Sequence, residues 1–256
     1  GGRQKREGRK RTDYVQNTIL IIGASGTIGR AIAEQLHKDN QSLILHGRVH
    51  NDRLASLSET LNSPIFAADL INDEEVSVFV EAVLKKHPRL AGIVFCAARP
   101  FPHKLTHRTK WSVFQEQIES QLKALHNILQ GFRPALENHK EGARIVILSS
   151  EYVVGTPPTK IAPYIAAKAA LTAYGQIIAQ EALNVGIRVH ILAPGMVKSA
   201  LTADMPDEYL DMIAEEMPEG KLTKATDVAR VCSFLLTPDA DPLYGTIIPV
   251  SRANRR

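Results

Sequence analysis

The sequence predicts an α/β fold: a doubly wound, seven-stranded parallel sheet with helices on both faces. Three observations lead there. Short β-branched runs alternate with longer amphipathic stretches from residue 18 to residue 250. The runs are apolar throughout, as strands covered on both faces are. The chain, 256 residues and 44% hydrophobic, is long enough for one full core and too short for two domains of ordinary α/β size. Strict alternation of the two patterns implies βαβ units.

TILII (18–22) reads as the first strand and runs into GASGTIG and a helix over 28–38. Gly23, Gly26 and Gly29 stand in the first strand-to-helix turn, where backbone N–H groups approach a pyrophosphate and the helix N-terminus favours its charge. This is the signature of a dinucleotide-binding, Rossmann-type sheet. SLILH (42–46) is the second strand, followed by Arg48 and a helix over 51–61. An NAD-binding chain carries an acidic residue at that strand end, for the ribose hydroxyls. A guanidinium there, with Arg30 adding to it, pairs with a 2′-phosphate, so NADP(H) is expected in preference to NAD(H). PIFAA (64–68) precedes Asp69, which either bonds the adenine amino group or caps the helix expected over 73–87.

GIVFC (92–96) is the fourth strand, and a basic cluster follows it: Arg99, His103, Lys104, His107, Arg108 and Lys110. Either these form a solvated loop or they favour an anionic, carrier-borne substrate. One long helix is expected over 110–138. RIVILS (144–149) delivers Ser149 and Ser150 to the sheet edge that carries the glycine turn. The next helix, 163–184, opens after Pro163 with Tyr164 and Lys168 four residues apart, on one face. A cation one turn along lowers a phenol's pKa, and together with a positively charged nicotinamide it would supply the about 4 kcal/mol of phenolate stabilisation that brings the group roughly three units down, towards neutrality. RVHILA (188–193) is the sixth strand. The segment 196–220, with the acidic stretch DEYLDMIAEEM, breaks the alternation and suits a lid. A helix over 226–236 and the strand TIIPV (246–250) complete the sheet.

Residues 1–14 hold six arginines and lysines against two acids, which accounts for the whole net charge of +4. They fall in a basic arm or linker, 1–16, ahead of a single domain over 17–251, with a basic tail over 252–256. The arm lacks interleaved aromatics, so nucleic acid is not an expected partner. Cys96 and Cys232 sit in apolar runs and read as reduced thiols of a cytoplasmic protein. No apolar stretch has membrane-spanning length, and no metal-ligand spacing occurs.

From residue 18 to 250 the chain resembles the short-chain dehydrogenases/reductases. The likeness is carried by the glycine turn, ADL (68–70), CAA (96–98), the Ser-Ser strand end, YIAAK (164–168) and LAPGMVKS (192–199). The resemblance implies Tyr164 as acid/base, Lys168 as ligand of the nicotinamide ribose and tuner of Tyr164, and Ser150 on the substrate oxygen. Ser149 is the alternative, because Ser150 lies one residue further from Tyr164 than the family spacing. Gln121 falls where the family carries a proton-relay asparagine. Ser25, Thr27 and Ile28 join the glycines around the cofactor, with Leu70, Ala97 and Ala98 further along. Pro194, Gly195 and Val197 line the nicotinamide pocket. Thr27 and Cys96-Ala97-Ala98 look closer to the epimerase/dehydratase branch, whose larger substrate domain the chain is too short to hold. The resemblance implies a ketone reductase, similar to 3-oxoacyl carrier-protein reductases, that acts on a small-molecule or carrier-bound ketone. It also implies a homodimer or homotetramer, with an acyl carrier protein as a further partner. An epimerase/dehydratase-like enzyme and a non-catalytic cofactor sensor are the alternatives.

Overall fold

In a computed structural model the protein is described over residues 18–252, so the basic arm and residues 253–256 lie outside the described residues. Seven strands build one sheet: β1 Thr18–Ile22, β2 Ser42–Gly47, β3 Ile65–Ala67, β4 Gly92–Phe95, β5 Ala143–Leu148, β6 Ile187–Pro194 and β7 Ile247–Val250. Their order is β3-β2-β1-β4-β5-β6-β7, and every neighbouring pair is parallel. Eight α-helices are α1 Thr27–Lys38, α2 Asp52–Leu61, α3 Asp73–Lys86, α4 Trp111–Ile118, α5 Ala124–Glu137, α6 Ala162–Glu181, α7 Asp207–Glu215 and α8 Ala225–Leu235.

The apolar strands split by alternate residues. Leu20, Ile22, Ile93, Phe95, Ile145 and Ile147 pack under α3, α5 and α6. Ile19, Ile21, Val94, Val146 and Leu148 pack under α1, α2 and α8. A strand with no polar face can satisfy both layers at once, and each large side chain so buried contributes about 1.5–3 kcal/mol. Strand order reverses between β1 and β4, where Ile19 lies opposite Gly92 and Ile22 opposite Phe95. Chains leaving the carboxyl ends of these two strands part to opposite sides and open a crevice.

Most expected boundaries shift by a residue or two. β3 begins at Ile65 because Pro64 has no N–H for the ladder. The expected helix 110–138 is interrupted: α4 and α5 join through a π turn, Glu119–Lys123. The expected helix 163–184 ends at Glu181, and a 3-10 turn, Leu183–Val185, closes on Gly186 at φ +78°. Segment 196–220 holds a 3-10 turn, Ala200–Thr202, and then α7. Both cysteines are free thiols. Cys232 packs in the core, while Cys96 Sγ donates to the Ile22 carbonyl at 3.0 Å. Among the described residues no helix is long and apolar enough to cross a membrane.

Candidate functional site

Two adjoining clefts, of about 830 and 840 Å³, open at the carboxyl ends of the strands and share Cys96 and Ala98. The first is built on the glycine turn. Gly23 is at φ +84°, and a Cβ there would come within 3.0 Å of the Ala97 nitrogen. A Cβ at Gly29 would come within 2.2 Å of the Gly23 carbonyl oxygen, so only glycine lets α1 start this close to β1. Gly26 differs. The nearest atom to a Cβ there is 3.4 Å away, and the residue is exposed on the cleft. It is also the N-cap of α1, whose first turn no side chain caps, which leaves that end of the helix to a ligand.

Ser25, Arg48, Asp69, Leu70, Ala97 and Ala98 line this cleft with Gly23 and Gly26. Thr27 and Gly29 do not; Thr27 opens α1, and Gly29 packs behind the turn. Arg48 is exposed and makes no ion pair among the described residues, whereas Arg30 is paired with Glu34 at 2.9 Å and does not join it. Asp69 is not a helix cap. Asn72 takes that role, accepting from the Glu74 and Glu75 N–H groups at 3.0 and 3.3 Å. Asp69 accepts from the Ile71 N–H at 3.2 Å and pairs with Arg99. Burial pushes its carboxyl up, but the Ile71 N–H and the Arg99 guanidinium outweigh this and hold it below the usual carboxylate range. The glycine cradle, the open helix end and the free guanidinium together fit a phosphorylated dinucleotide.

Ile28, Ser150, Tyr164, Lys168, Pro194, Gly195 and Val197 line the second cleft. Ser150 caps a 3-10 turn, Glu151–Val153, by accepting from the Tyr152 N–H at 3.4 Å, and its hydroxyl lies beside the Tyr164 phenol, which it draws down. Ser149, the alternative, is spent elsewhere. Its hydroxyl lies 2.5 Å from Thr172 Oγ1, which itself donates to the Lys168 carbonyl at 2.8 Å. Lys168 Nζ donates to the Leu148 carbonyl at 2.5 Å and stands 5.7 Å from the Tyr164 ring centroid.

Lys168 alone does not bring the tyrosine down. Burial pushes the Tyr164 phenol up to about 12, against a smaller downward pull from Ser150. Burial also brings the Lys168 ammonium down to about 8. The adjacent-cation argument omitted the cost of desolvating both groups. Gln121 is likewise not brought to the phenol or the lysine. Its side chain, one methylene longer than asparagine, folds back so that Nε2 donates to Gln117 Oε1 at 3.0 Å, leaving Oε1 buried without a partner. Ser120, from the same π turn, lines the first cleft instead.

The basic cluster separates into two parts. Arg99 turns inward to Asp69 and Glu116, and His103 is half-buried against Phe101, while Lys104, His107, Arg108 and Lys110 are exposed. Sequence reasoning missed Phe101, Tyr152, Ile161, Leu201 and Met205, which make the second cleft largely apolar. The only trace of Phe101 in the sequence is its place between Pro100 and Pro102.

A family model described as enoyl-(acyl carrier protein) reductase matches residues 23–252. Among curated relatives, a "3-oxoacyl-[acyl-carrier-protein] reductase FabG" of Rickettsia bellii is 32% identical over 241 residues, covering 93% of this chain and 97% of its own. An "uncharacterized oxidoreductase YmfI" of Bacillus subtilis is 27% identical over 243 residues, covering 93% and 98%. Of solved structures, "ElxO with NADP Bound" superposes with a TM-score of 0.82 at 23% identity, covering 92% of this chain and 97% of its own. Levodione reductase superposes at 0.84 with 19% identity, covering 93% and 96%. The two superpositions establish a shared fold.

Proposed function

Because the chain belongs to the short-chain dehydrogenase/reductase family, and so is a nicotinamide-dependent oxidoreductase acting on the CH–OH/C=O pair, we propose that it reduces ketones, with NADPH preferred over NADH and Tyr164 as proton donor. The observation that carries this reading is the convergence of Ser150, Tyr164 and Lys168 in one cleft beside the glycine turn. A nicotinamide dinucleotide would supply the hydride. Gly23, Ser25 and Gly26 would hold its pyrophosphate, Arg48 a 2′-phosphate, and Pro194, Gly195 and Val197 the nicotinamide.

Ser150 and Tyr164 hold the substrate oxygen between two hydroxyls. As the carbonyl carbon is reduced, negative charge builds on that oxygen, and the phenol proton passes to it. A phenol at about 12 keeps its proton across the working range and so stands ready as the acid of the reduction. Lys168, still largely protonated at pH 7, places a cation beside the phenolate that forms. Segment 196–220 covers the substrate side through Met196, Leu201, Thr202 and Met205 and acts as a lid.

The same reading includes a carrier-borne substrate and a second copy of the chain. Exposed Lys104, His107, Arg108 and Lys110 follow His103 at the cleft edge, where an acidic carrier would dock. Trp111 on α4 and Ile177 on α6 are 69% and 53% exposed, which supports pairing of these helices across a dimer.

The test follows nicotinamide absorbance with NADPH and NADH against 3-oxoacyl thioesters, simple ketones and an enoyl thioester. Turnover of a ketone with NADPH, its loss in Tyr164→Phe, and retained NADPH binding in that variant are expected. Full activity of Tyr164→Phe, or turnover of the enoyl thioester alone, overturns the reading.

A further inference from the structure

The segment Arg99-Pro100-Phe101-Pro102-His103 bridges the two clefts: Arg99 and Pro100 line the first, Phe101 and His103 the second. It is stiff before it touches anything. Two prolines fix their own φ, and Arg99 and Phe101, each preceding a proline, are restricted to extended backbone. Side chains then pin it. Gln117 Nε2 donates to the Arg99 carbonyl at 3.2 Å, and the Arg99 guanidinium is held by Asp69 and, at 3.1 Å, by Glu116. Phe101, 8% exposed, ends up with its ring parallel to that of Tyr164, centroids 5.3 Å apart and planes 12° apart. The His103 ring is 4.8 Å from Phe101.

We propose that Phe101 is the specificity-determining residue of the substrate cleft: by covering one face of the Tyr164 ring it admits ketones with an unbranched or flat substituent on that side and rejects those branched next to the carbonyl. The proposal rests on Tyr164 being the proton donor. A flat wall this close to the reacting hydroxyl leaves a methylene chain room to lie along it, and leaves a quaternary or bulky carbon none. The wall does not yield easily. To move, it must give up an aromatic stack and strain a backbone that the prolines and the Gln117 and Arg99 bonds hold. A second effect accompanies the first: the ring keeps water from the Tyr164 face, and burial is what raises that phenol.

The experiment compares Phe101→Ala and the volume-conserving Phe101→Leu with the unaltered protein. It measures kcat/KM with NADPH on matched pairs of ketones, linear and branched beside the carbonyl. The unaltered protein is expected to prefer the linear member by roughly tenfold or more, within the range of discrimination a packed apolar wall supplies. In Phe101→Ala that ratio falls to about threefold or less, and Phe101→Leu lies between. NADPH-dependent elevation of the melting temperature, retained in both variants, separates a changed wall from an unfolded protein. An unchanged ratio in an active Phe101→Ala overturns the assignment of Phe101 and leaves the reductase reading intact. Turnover of both ketone series by Tyr164→Phe overturns Tyr164 as the proton donor and takes this proposal with it.

Discussion

Replacing Lys168 by methionine is expected to make the protein inactive and, at neutral pH, more stable. Lys168 is 3% exposed, and burial brings its ammonium from 10.5 to about 8. Below pH 8 the group is charged in both the folded and the unfolded chain, so the folded state bears the full cost of that shift, about 3 kcal/mol. Methionine of similar reach removes the charge but also the bond to the Leu148 carbonyl, which offsets about 1 kcal/mol and leaves a net gain near 2 kcal/mol. The pH dependence has a definite sign. Between pH 8 and 10.5 the unfolded chain binds more protons at this lysine than the folded chain does, so the unaltered protein gains stability as pH rises, while the variant has no such gain. Tyr164 and Cys96 also titrate at alkaline pH, but both proteins carry them, so their effects largely cancel in the difference. Urea denaturation at intervals from pH 7 to 10 should show the variant ahead at pH 7 and the two curves meeting between about pH 9 and 10. A variant less stable at pH 7, or a gap that does not change with pH, refutes the reasoning.

The glycine turn offers a separation of folding from binding. Gly29→Ala, whose Cβ meets the Gly23 oxygen at 2.2 Å, should cost about 3 kcal/mol in denaturant melts; Gly26→Ala should change stability by less than about 1 kcal/mol yet abolish the thermal shift given by NADPH. Arg48→Ala should raise the KM for NADPH roughly 10- to 100-fold, the worth of one charge-assisted contact, with little change for NADH. Trp111→Glu should convert a dimer to monomer by light scattering; an unchanged mass would place the interface elsewhere.

How much of this was legible beforehand depended on how many parts of the chain a feature needs. The strands were legible because a sheet buried on both faces leaves only uninterrupted apolar runs such as RIVIL. The glycine turn and the Tyr164–Lys168 spacing were legible because each is a local arrangement, complete within one turn of chain. What failed was everything that two or three distant segments decide together. In its own neighbourhood Asp69 read equally as a helix cap or an adenine partner, and only Arg99, thirty residues on, and Asn72, which supplies the cap, separate the two. Tyr164 looked tuned downward by its neighbour, but burial among distant segments, Phe101 among them, pushes the phenol up. The π turn at 119–123 has no periodic signature, because it adds a single residue inside an otherwise regular helix.

The strand order also governs how the chain is assembled as it is made. A parallel sheet contains no hairpins, and each pairing waits for a crossover helix to be synthesised. On one wing, β2 pairs with β1 and β3 with β2, each with its immediate predecessor, so three strands can be laid down by about residue 67. The open side of β1 then waits for Gly92–Phe95, and only after that does the sheet grow in the other direction, one strand at a time, to β7. During that interval a nascent chain exposes, besides the short edge at β3, the longer apolar edge at Thr18–Ile22, on which a chaperone or a second nascent copy would act. Slow emergence of residues 67 to 95 from the ribosome lengthens that exposure, which ends when β4 is free to pair.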